Sequence, residues 1–526
     1  MNTLSEQLQL CRHWLREGQV ELAQVLLLDI NRQHPLFAPA IELLAQVWSH
    51  LNQPLRAIES LKTITEKDAC PASAILLLGD LYLEQGNPDA AIQHYQLALK
   101  TSEPFFDVLH NLGLAYAQLF LFKEAVDSFE KANQFNSLSV ELQINWGAAL
   151  KNLGQLHESL EHLLLAEKME PLNPAVWLNK GVTFEALNQQ TQAIESYKVA
   201  IDLQPTYLEA HCNLANSLML TRKFDQALIH FEKALALAPN DPNTLFNLSH
   251  LQLSHGDFKN GWKNSEHRWL CQNALRKPFQ HIPELKSLGN IELKKILVWS
   301  EQGLGDSIQF CRFLPTLIKK GAEITFITQN PLIELFRTLK GLENIFSLSQ
   351  DIDGSFEFQI SLMSLPLLFV ESGIPIPDTH PYLGCNPKKA AYWKKRLQNL
   401  RKLKVGLVWS GGFRENKPES WSLNAKRNIP LKLFAELQDI GGIQFFSLQK
   451  GNPAEQELLQ ERASIWPSEN LSIITSEIHS FEDTAALIQN LDLVISVDTS
   501  TAHLAGALGK PIWMLNRDDS CWRWLI

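Results

Sequence analysis

The chain has 526 residues, of which 45% are apolar and 20% charged, so it can bury ordinary cores in roughly three to four domains. A net charge of −10, with no basic stripe to offset it, excludes a protein that mainly binds nucleic acid. The longest apolar run, residues 360–370, is too short to span a bilayer, and the N-terminus lacks the apolar core of a signal peptide. These features predict a cytoplasmic protein without a membrane span.

A period of 34 residues organises the first half of the chain, in eight units that start at residues 4, 38, 72, 106, 140, 174, 208 and 242. Position eight of each unit is small, position eleven is usually bulky and position twenty is again small. This spacing predicts two helices per unit that approach closely at the small residues, with the bulky residue filling the gap between them. Gly or Asn at position fifteen predicts a left-handed turn between the helices, at Gly18, Asn52, Gly86, Gly154 and Asn188.

This pattern resembles the tetratricopeptide repeat family. The resemblance implies a superhelix of about eight repeats over residues 1–275, whose last unit departs from the pattern as a capping repeat does. An asparagine recurs at position six of five successive units: Asn111, Asn145, Asn179, Asn213 and Asn247. In the family this position lines the concave face, so the five amides are candidates for a peptide groove that binds the main chain of a polypeptide partner. The alternative is that they only satisfy neighbouring backbone.

The period changes after a linker at residues 276–290. Short β-branched and aromatic runs, separated by helical stretches, predict strands at 295–300, 323–328, 356–361, 404–410, 443–449, 493–498 and 511–515. Strands that alternate with helices indicate parallel sheets. The pattern restarts after a charged helix at 388–402, which predicts two Rossmann-like lobes, residues 291–387 and 388–526, with a cleft between them.

Two strand-to-helix turns carry candidate chemistry. The first, WSEQGLGDSIQF, holds Gly303, Gly305 and Asp306 but has neither the lysine of a P-loop nor the spacing of a dinucleotide fingerprint. The second, SVDTSTAHLAGALGKP, ends a strand at Asp498 and opens a helix with Thr499, Ser500 and Thr501. Backbone N–H groups, hydroxyls and the positive end of the helix dipole make this turn a seat for a diphosphate.

These two motifs resemble glycosyltransferase family 9, the heptosyltransferase-like group of GT-B enzymes, and more closely the bacterial proteins that fuse tetratricopeptide repeats to such a domain. The resemblance implies an inverting, metal-independent transfer from a nucleotide sugar, with no cofactor beyond that co-substrate. It implies that Asp306 is the general base, with Glu301, Gln302, Gly303 and Gly305 in an acceptor loop. A helix N-cap is the alternative role for Asp306.

The resemblance also assigns the donor site. It implies a diphosphate site at Asp498, Thr499, Ser500, Thr501 and His503, with Lys426 and Arg427 neutralising the leaving group, and a nucleotide site at Gly411, Gly412 and Gln449. The alternatives are an ordinary helical histidine and solvated loop charges. Asp351 and Asp353 form a DxD sequence in a predicted turn, which favours a structural role over a metal site. Family members continue past the Trp-Arg-Trp region, so the resemblance implies that the second lobe is incomplete.

The predicted fold is therefore α plus α/β: a tetratricopeptide α-solenoid followed by the two Rossmann-like lobes of a GT-B pair. The predicted function is transfer of a sugar to an acceptor that the repeats present, either a protein or a saccharide, including a lipid-linked one. The rival hypothesis is a protein-interaction scaffold whose transferase domain is degenerate and inactive.

Overall fold

The computed structural model describes residues 3–65, 70–101, 105–271, 276–350, 352, 354–378, 380–412, 426–517 and 522–524. The chain divides into two compact units, Met1–Tyr207 and Leu208–Ile526. The second unit contains the last two repeat hairpins together with both α/β lobes. This division differs from the domain boundaries expected from the sequence, which stay predictions.

The described part of the repeat region forms sixteen helices in eight hairpins, and the first helix of each hairpin starts at the residue where a 34-residue unit starts. The helices are α1 Leu4–Arg16, α2 Val20–Gln33, α3 Ala38–His50, α4 Pro54–Thr65, α5 Ala72–Glu84, α6 Pro88–Thr101, α7 Phe106–Gln118, α8 Phe122–Asn133, α9 Val140–Asn152, α10 Leu156–Met169, α11 Pro174–Ala186, α12 Gln190–Leu203, α13 Leu208–Leu220, α14 Phe224–Leu237, α15 Pro242–Ser254 and α16 Phe258–Ser265. The predicted helical repeat is thus confirmed.

The small residue at position eight packs against the side chain at position 24, on the second helix of the same hairpin. A Cβ added to Gly113 would lie 2.5 Å from the ring of Phe129, and one added to Gly181 would lie 2.4 Å from the ring of Tyr197. Position 24 therefore supplies the bulky side chain that faces the small residue in these units. Leucine at position 24 accompanies cysteine or alanine at position eight in the first two units, as at Ala45 and Leu61, whereas the seventh unit combines Ala215 with Phe231.

The predicted left-handed turns are confirmed at position fifteen, where φ is 73° at Gly18, 55° at Asn52 and 62° at Asn188. Two further units reach the same conformation without glycine or asparagine, with φ of 61° at Phe120 and 58° at Arg222. The turn geometry is therefore imposed by the packing of the helices and not only by the residue in the turn.

The first lobe contains a parallel sheet in the order β3-β2-β1-β4, made of β1 Lys295–Trp299, β2 Glu323–Thr328, β3 Asn344–Ser347 and β4 Phe358–Ser361. The second lobe contains a parallel sheet in the order β7-β6-β5-β8-β9, made of β5 Leu403–Val408, β6 Ile443–Ser447, β7 Leu471–Ile473, β8 Leu493–Val497 and β9 Ile512–Leu515. All seven predicted strands are present, and the two strands without a sequence signal, β3 and β7, are short edge strands.

Helices cover the sheets, as the nearly continuous apolar strands require. They are α17 Leu304–Phe310, α18 Leu314–Lys319, α19 Ile333–Phe336, α20 Leu365–Glu371, α21 Pro387–Leu397, α22 Leu431–Phe434, α23 Ala454–Ile465, α24 Phe481–Ile488 and α25 Ser500–Ala507. One apolar core runs from Trp262 in the last repeat hairpin through the first lobe to Leu504 in the second lobe. In each sheet the strand order reverses beside the lobe's first strand, at β1/β4 and at β5/β8, and ligands of such sheets bind in the crevice at this point.

The size match between positions eight and 24 makes a testable prediction. Gly113→Ala should lower the free energy of unfolding by about 1–3 kcal/mol, because the new methyl group overlaps the buried ring of Phe129. Adding Phe129→Leu should restore part of the lost free energy of unfolding, since alanine and leucine occupy the equivalent positions of the second 34-residue repeat, at Ala45 and Leu61. Urea unfolding followed by far-ultraviolet circular dichroism measures both. A Gly113→Ala variant as stable as the wild type would show that the ring is not fixed.

Candidate functional site

The two predicted motifs form strand-to-helix turns of the same design. Asp306 lies in the first turn of α17, and its Oδ2 accepts a hydrogen bond of 3.1 Å from the N–H of Gly303, the N-cap residue. Thr499 is the N-cap of α25, and its hydroxyl accepts a hydrogen bond from the N–H of Ala502. Asp306 thus has the helix-capping contact that was the alternative to a catalytic role, while its second carboxylate oxygen points elsewhere.

The starts of these two helices meet, although they belong to different lobes. A Cβ added to Gly305 would lie 2.7 Å from Cδ2 of His503 and 3.6 Å from Cα of Ser500. Glycine permits this approach, because a side chain at this position would overlap the buried ring of His503. The loop that carries the carboxylate of Asp306 therefore lies against the N-terminus of α25, so a carboxylate of one lobe is close to a helix N-terminus of the other.

A short 3-10 turn, Trp522–Trp524, fills the space between these motifs. Nη2 of Arg523 lies 2.5 Å from Oδ1 of Asp306 and 3.2 Å from Oε1 of Gln302. The indole N–H of Trp524 donates a hydrogen bond of 3.1 Å to Asp498, and its ring stacks on His503 with centroids 4.5 Å apart. No site residue is predicted in this turn from the sequence, where the one signal is the Trp-Arg-Trp sequence itself.

His503 is buried beneath that turn. Burial lowers the pKa of its imidazole to about 3, and the positive charges of Arg523 and Arg312 act in the same direction. The ring is therefore neutral at physiological pH, and in this state it is a neutral hydrogen-bonding group and not a cation for phosphate.

Glu301, expected in an acceptor loop, is turned into the protein with a side chain only 3% exposed. Its carboxylate pairs with Nη2 of Arg268 at 3.0 Å and accepts a hydrogen bond from Ser361. Arg268 follows the last repeat hairpin, and it also binds Glu266 at 2.7 Å and Ser364 at 2.9 Å. Burial raises the pKa of Glu301, while Arg268 opposes that shift. The first half of the EQGLGD loop is thus anchored to the end of the repeats.

The proposed nucleotide residues lie just after the ends of two neighbouring strands of the second sheet, Gly411 and Gly412 after β5 and Gln449 after β6. Gln449 is buried, and its Oε1 accepts hydrogen bonds from the N–H groups of Trp409 and Ser410, at 3.1 and 2.9 Å. Its amide joins the ends of β5 and β6 and is engaged within the protein. The guanidinium of Arg427 lies against Gly411, because a Cβ there would be 2.2 Å from Nη2, whereas Gly412 is exposed with open space around it. Lys426 is half-buried beside it.

The five asparagines lie half-buried at equivalent positions of successive first helices. Three of them lie in the compact unit Met1–Tyr207. Asn111 donates a hydrogen bond of 2.8 Å to Asp80, Asn145 bonds to His110 at 3.1 Å, and Asn179 donates to the carbonyl of Ala175 at 2.9 Å. Asn213 and Asn247 lie in the compact unit Leu208–Ile526, where Asn247 donates a hydrogen bond of 3.4 Å to the sulfur of Cys212. Several of these amides thus connect one repeat to the preceding one, which is the structural alternative to a peptide groove.

Asp351 and Asp353, the DxD pair considered as a metal site, both lie outside the described residues. Within the described residues, no group of three His, Cys, Asp or Glu side chains is arranged to hold a metal ion. Nor does any helix in that part of the chain combine the length and hydropathy that crossing a membrane requires.

Comparison with known families matches both halves of the chain. Tetratricopeptide repeat models match residues 79–119, 106–137, 184–221 and 208–241. The model of glycosyltransferase family 9 (heptosyltransferase) matches residues 431–518, a segment that includes α25 and its N-cap. The first motif, with Asp306, lies outside that match.

The chain is also similar to individual proteins. It is 26% identical over 343 residues to protein FlbA of Caulobacter vibrioides, and this alignment covers 60% of this chain and 55% of FlbA. It is 29% identical over 132 residues to human tetratricopeptide repeat protein 21B, which covers 24% of this chain and 10% of that protein. Among solved structures, YrrB, described as a TPR protein with an unusual peptide-binding site, matches 35% of this chain and 95% of its own at 24% identity and a TM-score of 0.31. The chain thus spans about half or less of these curated relatives.

The buried pair at the EQGLGD loop makes a prediction about stability. Arg268→Met should lower the free energy of unfolding by about 3–5 kcal/mol at pH 7, because it leaves the carboxylate of Glu301 buried without its cation. Loss of Arg268 also raises the pKa of Glu301 further, so the folded state takes up a proton more readily than the unfolded state as the pH falls. The variant should therefore be less destabilised at pH 5 than at pH 7.

The double variant Arg268→Met/Glu301→Gln is the matched control, since it removes the most deeply buried carboxylate that Arg268 neutralises and leaves only the more exposed Glu266 charged. It should be more stable than the single variant at pH 7 and should lose the extra pH dependence. Equal destabilisation of the single variant at both pH values, measured by urea unfolding, would contradict this account of the pair.

Proposed function

We propose that this chain, which combines tetratricopeptide repeats with a glycosyltransferase family 9 domain, is an inverting, metal-independent glycosyltransferase that uses a nucleotide sugar as donor. The single observation that carries the proposal is the contact between the two motifs at Gly305 and His503. It places a carboxylate from one lobe beside a helix N-terminus from the other. The family match covers the second of these motifs.

The donor diphosphate would bind at the start of α25. The N–H groups of the first helical turn and the hydroxyls of Thr499, Ser500 and Thr501 are suited to phosphate oxygens, and the helix dipole favours their negative charge. This turn also borders the β5/β8 reversal point, where Gly411 and Arg427 lie. Arg427 and Lys426 are proposed to offset the charge of the departing diphosphate, and exposed Gly412 leaves room for the nucleotide.

Asp306 would act as the general base. Its carboxylate takes the proton from the acceptor hydroxyl, the hydroxyl oxygen forms a bond to the anomeric carbon, and the bond from that carbon to the diphosphate oxygen breaks. The electron pair of the broken bond leaves with the nucleoside diphosphate. Attack from the face opposite the leaving group inverts the anomeric configuration.

The repeats are proposed to present the acceptor. A polypeptide in contact with the asparagines of the first helices is the partner that the repeat family supports, while a saccharide acceptor is compatible with the same transfer chemistry. Within Met1–Tyr207, the bonds of Asn111 and Asn145 to the preceding repeat mean that a bound chain would have to share or replace them.

Donor binding without a metal is the first test. A nucleoside diphosphate from the panel UDP, GDP, CDP, ADP and dTDP should raise the melting temperature of the full chain in the presence of EDTA, because a ligand that binds only the folded state stabilises it. Addition of Mg²⁺ or Mn²⁺ should change the shift little. Binding that depends strictly on a divalent cation would contradict the proposal and would direct attention to Asp351 and Asp353.

Asp306→Asn tests the chemistry. The variant should retain binding of the same nucleoside diphosphate and lose about 10²-fold or more in turnover, the scale of a missing general base. Turnover is measured as release of the nucleoside diphosphate from its sugar conjugate, with acceptor or with water. Asparagine keeps the size of the side chain and an oxygen for the N–H of Gly303, so the helix cap survives. A variant with full activity would leave Asp306 with the capping role alone.

A further inference from the structure

Arg523 holds a position that its sequence context did not reveal. Its guanidinium binds Oδ1 of Asp306, the residue next to Gly305, and Gly305 lies against Ser500 at the start of α25. Its positive charge acts on His503, one helical turn further along. The cation is therefore adjacent both to the candidate base and to the proposed diphosphate seat.

The charges around that seat make a cation necessary. Asp306 and Asp498 both contact the Trp522–Trp524 turn, and a diphosphate at the start of α25 would add further negative charge near these two carboxylates. Hydrogen bonds from the helix N-terminus offset part of this repulsion. A guanidinium binds phosphate oxygens through two parallel N–H groups, and it keeps its charge at every physiological pH.

Aromatic contacts fix Arg523 in place. Trp522 packs edge-to-face on Trp262 of the last repeat hairpin, with centroids 5.2 Å apart, and lies beside Phe310 of α17. Trp524 stacks on His503 and donates to Asp498. The turn thus contacts the last repeat and both lobes at once, so the guanidinium is held beside Asp306 before a ligand binds.

We infer that Arg523 is a donor-binding residue that exchanges its partner Asp306 for the diphosphate of the nucleotide sugar, an inference that rests on the proposed function. In the ligand-free protein, the ion pair neutralises both side chains. When the diphosphate binds, it takes the guanidinium and releases Oδ1 of Asp306 to accept the proton of the acceptor hydroxyl. Binding of the donor and activation of the base are then one event.

The experiment measures dissociation constants in EDTA for UDP, GDP, CDP, ADP and dTDP, and then for the nucleoside of whichever diphosphate binds most tightly. Arg523→Ala and Arg523→Gln should weaken that diphosphate about tenfold or more, the scale of one lost charge-assisted hydrogen bond. Their affinity for the nucleoside should stay within about twofold of the wild type. Arg523→Lys should lie between, because it keeps the charge but not the planar fork.

Arg337→Ala is the matched control, since Arg337 is an exposed cation of the first lobe, at the C-cap of α19, and pairs with Glu334 at 3.6 Å. It should bind every probe like the wild type. Melting temperatures and circular dichroism establish that each variant is folded, and glutamine keeps most of the side-chain volume if the alanine variant does not fold.

The possible outcomes distinguish a failure of this inference from a failure of the proposed function. Wild-type affinity for the diphosphate in both Arg523→Ala and Arg523→Gln would overturn the inference alone. Tighter binding in these variants would also overturn it and would make the Trp522–Trp524 turn a plug that competes with the donor. A wild-type chain that binds none of the five diphosphates would overturn the proposed function together with this inference.

Discussion

The close approach of α17 to α25 is the constraint on which the candidate site depends. The absent side chain of Gly305 lets one helix start rest on Ser500 and on the ring of His503. This contact brings the loop with the carboxylate of the first lobe against a helix N-terminus of the second lobe. The continuous apolar core from the last repeat hairpin through both lobes holds the two helices in this arrangement.

Two arginines that lie outside the first lobe's sheet anchor the EQGLGD loop. Arg268, which follows the last repeat hairpin, binds Glu301 at the start of the EQGLGD loop, and Arg523 binds Asp306 at its end. The loop that offers the candidate base is therefore fixed at one end by the repeats and at the other by the Trp522–Trp524 turn. We expect a change in the last hairpin that displaced Arg268 to alter the position of Asp306 as well, because Glu301 and Asp306 lie only five residues apart in the same loop.

Much of the fold could be predicted because it repeats or alternates. The 34-residue period fixed the start of every first helix, and apolar runs located seven strands, whereas β3 and β7 escaped because three or four residues at a sheet edge carry little pattern. The motifs identified both strand-to-helix turns. Their partners could not be read from the sequence: Glu301, Gln449 and Arg523 are engaged by residues far along the chain, and only the packing of the lobes brings these together.

Hydrogen–deuterium exchange of the full chain, with and without the nucleoside diphosphate that binds it most tightly, tests most directly whether the two motifs form one site. If they do, the ligand should slow exchange in peptides that cover residues 303–306 and residues 499–503 at the same ligand concentration, because both helix starts border the bound diphosphate. Protection of the second-lobe peptide alone, with residues 303–306 unchanged, would contradict the account.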